Sequence, residues 1–138
     1  MTVDQQPTLI DLDDADLLLE NPTDDIRGRN VFDRHGDEIG HIDGLVVDED
    51  EKKVRFVRIG SGGFLGFGET KRLIPVDAIT RIADNEVHID RTKEHVADSS
   101  PYDPNVLKTA DFYKHLYRHY GYGTFWSPGY VYPYPPML

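Results

Sequence analysis

The fold is decided by residues 26–90, which read IRGRN VFDRHGDEIG HIDGLVVDED EKKVRFVRIG SGGFLGFGET KRLIPVDAIT RIADNEVHID. Short apolar segments alternate there with turn signals such as Arg34–Asp37. Along Lys53–Ile59 we expect Val54, Phe56 and Arg58 on one face of a strand and Arg55, Val57 and Ile59 on the other. The predicted strands are Asn30–Asp33, Glu38–Val47, Lys53–Ile59, Lys71–Val76, Thr80–Ala83 and Glu86–Asp90. Their spacing predicts a mainly β fold, a small antiparallel barrel of about six strands, closed or nearly closed.

Glycines are concentrated in this stretch. Five of the twelve glycines lie in Gly60–Gly68, where they fix the path of a loop. Gly40 and Gly44 lie inside a predicted strand and indicate bends or bulges. We therefore interpret the loop as a cover that places Phe64, Leu65 and Phe67 over the mouth of the barrel.

The chain of 138 residues accommodates one domain with appendages. Its net charge is −10, and residues 1–25 carry eight acids and no Lys or Arg, so the body is nearly balanced. We divide the chain into an acidic arm (1–25), a barrel domain (26–98), a connector and helix (99–120) and an aromatic, Pro-rich tail (121–138). The balanced body disfavours direct nucleic-acid binding.

The composition also excludes several classes. The chain has no cysteine, which removes disulfides, thiolate metal sites and cysteine catalysis. No apolar run approaches the roughly 20 residues that span a bilayer, and the N-terminus lacks a basic region before an apolar stretch. We expect a cytoplasmic protein.

Two interpretations of the arm stay open. Its leucines either cover the domain or dock on another subunit or protein. The apolar positions fit a helix face only loosely: Leu9, Ile10, Leu12, Leu17 and Leu19. The acids among them lack the central glycine and distal glutamate of a calcium loop, so we expect a solvated acidic run at Asp11, Asp13, Asp14 and Asp16.

The C-terminal third is rich in aromatic residues. Ten of the fifteen aromatic residues lie between 112 and 134. A helix is predicted over Asn105–Tyr120, ended by Gly121, with one stripe formed by Val106, Ala110, Tyr113, Tyr117 and Tyr120. The tail that follows either folds back on its own barrel, crosses to a neighbouring subunit, or serves as a free ligand for another protein. Its aromatic residues are Phe125, Trp126, Tyr130, Tyr132 and Tyr134.

No catalytic or cofactor motif emerges. His115 and His119 are four residues apart on the helix, but no third ligand has convincing spacing. The glycine loop lacks the Lys-Ser/Thr of a phosphate-binding loop, and Ser61 lacks a nucleophile elbow. We therefore predict no metal, no cofactor and no enzyme activity.

Seven segments together carry a family resemblance: Gly28–Asp33, Gly36–Gly40, Leu45–Asp48, Val54–Val57, Gly62–Gly68, Leu73–Val76 and Tyr102–Pro104. Through them about half of the chain resembles the PRC-barrel family, the module of the photosynthetic reaction centre H subunit and of a ribosome maturation factor. The resemblance implies a small β-barrel with a covering loop and a docking or assembly role. We expect this chain to depart from both examples, with neither a membrane helix nor a second N-terminal barrel.

Our leading hypothesis is a non-enzymatic assembly or adaptor protein that forms homo-oligomers and binds a protein partner. The alternatives are an accessory protein that holds an apolar or quinone-like molecule at the barrel mouth, or a ribosome-associated factor. The candidate interface residues are Phe64, Leu65, Phe67, Tyr113, Tyr117, Tyr120, Phe125, Trp126, Tyr130, Tyr132 and Tyr134.

Overall fold

Seven strands and two helices make up the part of the chain that the computed structural model describes, namely residues 9–11, 25–61, 70–103 and 109–133. In chain order the elements are β1 (Leu9–Asp11), β2 (Asn30–Phe32), β3 (Glu38–Asp48), β4 (Lys53–Ser61), β5 (Thr70–Pro75), a 3-10 turn (Val76–Ala78), β6 (Ile79–Ile82), β7 (Glu86–Ile89), α1 (Lys93–Ala97) and α2 (Ala110–Tyr120). The predicted mainly β class with a C-terminal helix is confirmed.

The strands form one curled sheet in the order β5-β4-β3-β2-β7-β6, with β1 paired to β3. All pairs are antiparallel except β2 with β7, which run parallel, so the sheet is mixed. The β2–β5 meander meets the β6–β7 hairpin at this parallel pair. The parallel pairing of β2 with β7 depends on contacts between segments that are distant in sequence. The local sequence pattern therefore predicts only antiparallel pairing.

Two bulges interrupt the β3–β4 pairing. Ile42 and Gly44 of β3 pair with two consecutive residues of β4, so Asp43 is the extra residue of the first bulge. Val54 and Phe56 of β4 pair with two consecutive residues of β3, so Arg55 is the extra residue of the second bulge. A bulge re-aims the side chain that it adds. The bend expected near Gly44 is thus confirmed.

The second bulge corrects the predicted alternation of β4. Val54, Val57 and Ile59 all belong to the main core, whereas Phe56 belongs to a second cluster. Perfect alternation would have placed Val54 with Phe56. The extra residue at Arg55 shifts the period by one, and every side chain before it changes face.

The main core lies within the curled sheet, and the second cluster lies between the sheet and α2. The main core joins residues of β2–β7 to Val96 of α1 and Tyr120 of α2. The second cluster contains Val46, Phe56, Leu73, Tyr102, Tyr113, Leu116 and Tyr117. These two clusters fix α2 against the sheet and thereby fix where the tail begins.

The N-terminal arm differs from the expectation. Residues 9–11 form a strand on β3 rather than part of a helix face. Leu9 packs against the second cluster, which supports the interpretation that the arm covers the domain. Asp11 is only 7% exposed, so the prediction of a solvated acid is wrong at this position. The other arm residues lie outside the described part.

Candidate functional site

The helix α2 is defined at both ends by its sequence. The Thr109 hydroxyl accepts a hydrogen bond from the Phe112 N–H, and Gly121 takes the left-handed conformation at φ 86°. Arg91 also donates to the Tyr120 carbonyl through Nε (3.1 Å) and Nη2 (2.5 Å). The expected stop at Gly121 is confirmed, and the helix begins at Ala110 within the described residues.

One face of α2 is buried against the chain's own sheet. Its buried residues are Tyr113, Leu116, Tyr117 and Tyr120. The Phe56 ring lies 5.5 Å from the Tyr113 ring and 4.9 Å from the Tyr117 ring, in tilted arrangements that aromatic pairs favour. Burial raises the pKa of the Tyr120 hydroxyl to about 12. Within a single chain these tyrosines are therefore core residues.

After Gly121 the tail turns back over the sheet. The Tyr122 N–H donates to the Tyr117 carbonyl, which reverses the chain. Phe125 and Trp126 then meet the Tyr117 ring edge-on, at 6.4 and 6.2 Å between centroids. The described part of the tail, up to residue 133, follows the first of the three interpretations because it packs on its own chain.

Arg55 is the anchor of the tail. Its side chain is 3% exposed, and its guanidinium lies 4.2 Å from the Phe125 ring, 5.1 Å from Tyr132 and 5.9 Å from Tyr130. A desolvated cation over aromatic faces is stabilised by their quadrupoles. We call Arg55 with Phe125, Tyr130 and Tyr132 the arginine cradle.

Two carboxylates balance Arg55 from the neighbouring turn. Nη2 lies 3.1 Å from Asp48 Oδ2, which is buried, and 2.6 Å from Glu51 Oε1, which is exposed. The Asp48 Oδ1 accepts the Asp50 N–H at 2.9 Å, which orients the carboxylate. The β3–β4 turn therefore holds the arginine in place for the tail.

The tail also makes two hydrogen bonds to the body. The Tyr130 hydroxyl donates to Asp77 Oδ2 at 3.0 Å, and the Tyr132 hydroxyl donates to the Val54 carbonyl at 3.1 Å. Burial raises the pKa of the Asp77 carboxyl despite the Tyr130 hydrogen bond. Asp77 Oδ1 and the Tyr117 hydroxyl are buried and have no hydrogen-bond partner within the described residues. The tail thus closes over a polar centre whose hydrogen bonds are incomplete.

A second, partly buried ionic group lies at the other bulge. Arg58 Nε donates to Asp43 Oδ1 at 2.8 Å, and Lys71 pairs with the other Asp43 oxygen. Burial disfavours the charged form of Asp43, but Arg58 and Lys71 outweigh it and hold its pKa below the usual value. Arg58 Nη1 also reaches Asp11 Oδ1 at 3.4 Å. Gly44 makes room for this guanidinium, since a Cβ there would lie 2.6 Å from Arg58 Cζ.

One of the two histidines of α2, His119, contacts a histidine of α1. His119 and His95 stack at 4.2 Å between ring centroids, and the Nε2 of each lies 2.7 Å from the other's backbone carbonyl. His115 and His119 line an open groove of about 470 Å³. Among the residues with described positions, no group of three or more His, Cys, Asp or Glu is placed to hold a metal ion.

The structure brings part of the predicted interface set together. Tyr117, Phe125, Trp126, Tyr130 and Tyr132 meet around Arg55 and Phe56, with Tyr113 and Tyr120 beside them on α2. Phe64, Leu65, Phe67 and Tyr134 lie outside the described residues. Their role as partner contacts remains a prediction.

Sequence reasoning missed the polar half of the site. Arg55, Asp77 and Arg58 carried no motif, and the motifs weighed for Asp11 and Tyr102 did not indicate that these two side chains meet. The available signal was the occurrence of two arginines within an otherwise apolar strand, since a buried arginine must find acidic partners.

The curled sheet with a short connecting 3-10 turn and a covering helix defines a small β-barrel-like domain. The PRC-barrel domain model matches residues 20–96, more than half of the chain, and the protein therefore belongs to the PRC-barrel family. No curated protein matches the chain. None of the helices in the described ranges has the length and apolar character that crossing a membrane requires.

Proposed function

We propose that this protein is a non-enzymatic assembly or adaptor module that self-associates and binds a protein partner. The observation that carries the proposal is the aromatic layer formed by the tail. Phe125, Trp126, Tyr130 and Tyr132 are only partly buried on the sheet, and Val131 among them is 79% exposed. Clustered exposed aromatic and aliphatic surface is typical of protein interfaces.

The contacts of the buried and partly buried charged residues support a binding role rather than catalysis. Arg55 holds the tail, and Arg58 holds the N-terminal strand. Asp33 accepts the backbone N–H groups of His35, Asp37 and Lys93, each at 2.9 Å, and so ties the β2–β3 turn to α1. Each of these groups is engaged in joining elements of the fold.

Two arrangements produce self-association from the same contacts. In the first, the outer face of each docked tail meets the tail of a second copy. In the second, the copies exchange tails, and each arginine cradle receives rings from its neighbour. The buried tyrosines of α2 then contribute by holding the cradle rather than by touching the partner directly.

The experiment is the mass in solution, measured by light scattering after size exclusion, of the full chain and of Val131→Asp. Position 131 is exposed, so the added charge does not disturb the core. We expect a dimer or larger species that Val131→Asp converts to a smaller one. The matched control is Asn85→Asp, which adds the same charge in the exposed β6–β7 turn and leaves the mass unchanged.

A full chain that stays monomeric at the highest soluble concentration contradicts self-association. An oligomer that Val131→Asp leaves intact excludes contact between the outer faces of docked tails, and only the exchange of tails would then keep the aromatic layer in the interface. A monomeric full chain overturns the role that we propose for the aromatic layer.

A further inference from the structure

Three buried polar atoms beneath the tail have no hydrogen-bond partner within the described residues. They are the Arg55 Nε, the Tyr117 hydroxyl and the Asp77 Oδ1. The Arg55 side chain is 3% exposed and Tyr117 is 1% exposed, so bulk solvent does not complete these bonds. Because folded proteins satisfy nearly all of their buried polar groups, the three atoms indicate a bound molecule that completes them.

The three atoms share one enclosure between the tail, α2 and the sheet. The Tyr130 hydroxyl donates to Asp77 Oδ2 at 3.0 Å, and the ring of Tyr130 lies 5.9 Å from the Arg55 guanidinium. The Phe125 ring covers that guanidinium at 4.2 Å and lies 6.4 Å from the Tyr117 ring. Burial raises the pKa of the Tyr117 hydroxyl, the charge of Asp77 raises it further, and the charge of Arg55 lowers it. The hydroxyl therefore lies within the electrostatic range of both charges.

The chemistry of this enclosure selects a small neutral ligand. The Arg55 Nε–H and the Tyr117 hydroxyl supply two donors, and Asp77 Oδ1 supplies one acceptor. The Asp77 carboxylate would repel an anion, and the Arg55 guanidinium would repel a cation. The ligand must therefore accept two hydrogen bonds and donate one while carrying no charge. A water molecule meets this requirement, and about three hydrogen bonds are typical of a buried water.

Aromatic residues of the tail form one wall of the enclosure. Phe125 and Trp126 lie 6.4 and 6.2 Å from the Tyr117 ring, measured between centroids. Tyr130 adds the hydrogen bond to Asp77. The polar atoms that need a partner all belong to the body and α2, whereas the rings that shield them belong to the tail. The bound molecule is therefore shielded from solvent as long as the tail is docked.

We propose that the docked tail encloses one structural water molecule, which accepts hydrogen bonds from Arg55 Nε and the Tyr117 hydroxyl and donates one to Asp77 Oδ1. The water joins β4, α2 and the 3-10 turn at the place where Tyr130 attaches the tail. It is thus a component of tail docking that the protein side chains alone do not supply. The site does not depend on self-association, because all of its groups come from a single chain.

A high-resolution crystal structure of the full-length protein tests the site directly. We expect one ordered water at about 2.7–3.2 Å from each of Arg55 Nε, Tyr117 Oη and Asp77 Oδ1. Direct hydrogen bonds between these groups overturn the proposal, as does another occupant or a lack of ordered density between them.

A double-mutant cycle in urea unfolding tests the same bridge in solution. Tyr117→Phe removes one donor to the water, and Asp77→Ala removes its acceptor. The structure shows no hydrogen bond between these two side chains, so independent substitutions would multiply their effects on the unfolding equilibrium constant. If both hold one water, the second substitution costs less than the first, and the combined effect should be at least about threefold smaller than the product.

Tyr120→Phe is the matched control for this cycle. Tyr120 lies on the same helix and is 1% exposed, but it belongs to the main core rather than to the second cluster. Its effect and that of Asp77→Ala should multiply. Independent effects of Tyr117→Phe and Asp77→Ala overturn the water bridge, and so does an equal deviation with Tyr120→Phe. The mass of Val131→Asp is a separate measurement, so failure of the water site and failure of self-association are distinguishable.

Discussion

Replacement of Arg55 by Met should strongly destabilise the protein and loosen the tail. Asp48 is 4% exposed and would lose its guanidinium partner. Removing one partner of a buried ion pair costs about 3–5 kcal/mol, whereas the contact with Glu51, which is 60% exposed, contributes under about 1 kcal/mol. Met restores part of the contact with the rings. We expect the free energy of unfolding to fall by about 3–4 kcal/mol.

Urea unfolding provides the assay, followed by circular dichroism and by the fluorescence of Trp126. Trp126 is the only tryptophan, and its ring lies 5.0 Å from Phe125, which stacks on Arg55. Fluorescence therefore reports docking of the tail, while circular dichroism reports the sheet. In Arg55→Met the fluorescence transition should precede the circular dichroism transition, because the tail loses its anchor before the sheet unfolds.

Two further variants separate the charge effect from a loss of packing. Adding Asp48→Asn to Arg55→Met removes the orphaned carboxylate and should restore about 2 kcal/mol. Arg34→Met is the matched control, because Arg34 pairs with Asp90 at the surface and its loss should cost under about 1 kcal/mol. An Arg55→Met protein within about 1 kcal/mol of the wild type would refute the reasoning, as would an Asp48→Asn addition that restores nothing.

Three other substitutions test separate parts of the site. The pKa of Asp77 is raised in the folded state, so the contribution of this carboxyl to stability falls as pH rises through that pKa. Asp77→Asn should lack this contribution, and its melting temperature should therefore gain on that of the wild type between pH 4 and pH 7, as thermal melts at both pH values would show. Gly121→Ala should cost about 1 kcal/mol in urea unfolding because φ is 86°, whereas Gly123→Ala, with no positive φ and open space, should cost nothing. Phe56→Leu keeps an apolar side chain but loses two ring contacts, and a loss below about 0.5 kcal/mol in the same assay would contradict their contribution.

The strand layout was predictable because its signals are local. Turn residues such as Arg34–Asp37 and alternating apolar positions lie within a few residues of each other, and β2–β7 begin and end close to the predicted bounds. The parallel pairing of β2 with β7 was not predictable, because it depends on contacts between segments 56 residues apart, such as Val31 with Val87. The three-residue β1 is too short for its pattern to distinguish it from the acidic run around it.

The candidate site was predictable in its apolar half only. A stripe such as Tyr113 and Tyr117 follows from helical periodicity, and the aromatic tail is visible as composition. The role of Arg55 depends on a bulge that shifts the strand period by one residue, and no local signal marks which residue is the extra one. A regular strand would have pointed Arg55 and Val57 to the same face and given the tail a different surface.

The two bulges of the β3–β4 pair place side chains that hold the C-terminal tail and the N-terminal strand. Arg55, the extra residue of β4, contacts the rings of the C-terminal tail, and Asp43, the extra residue of β3, holds Arg58 for Asp11 of the N-terminal strand. The main core of the sheet is built mostly from β2–β7, and Tyr132 of the tail packs against it. Each appendage is thus held by an arginine and a few apolar contacts on the sheet, which is the arrangement that we propose for a module that binds other chains.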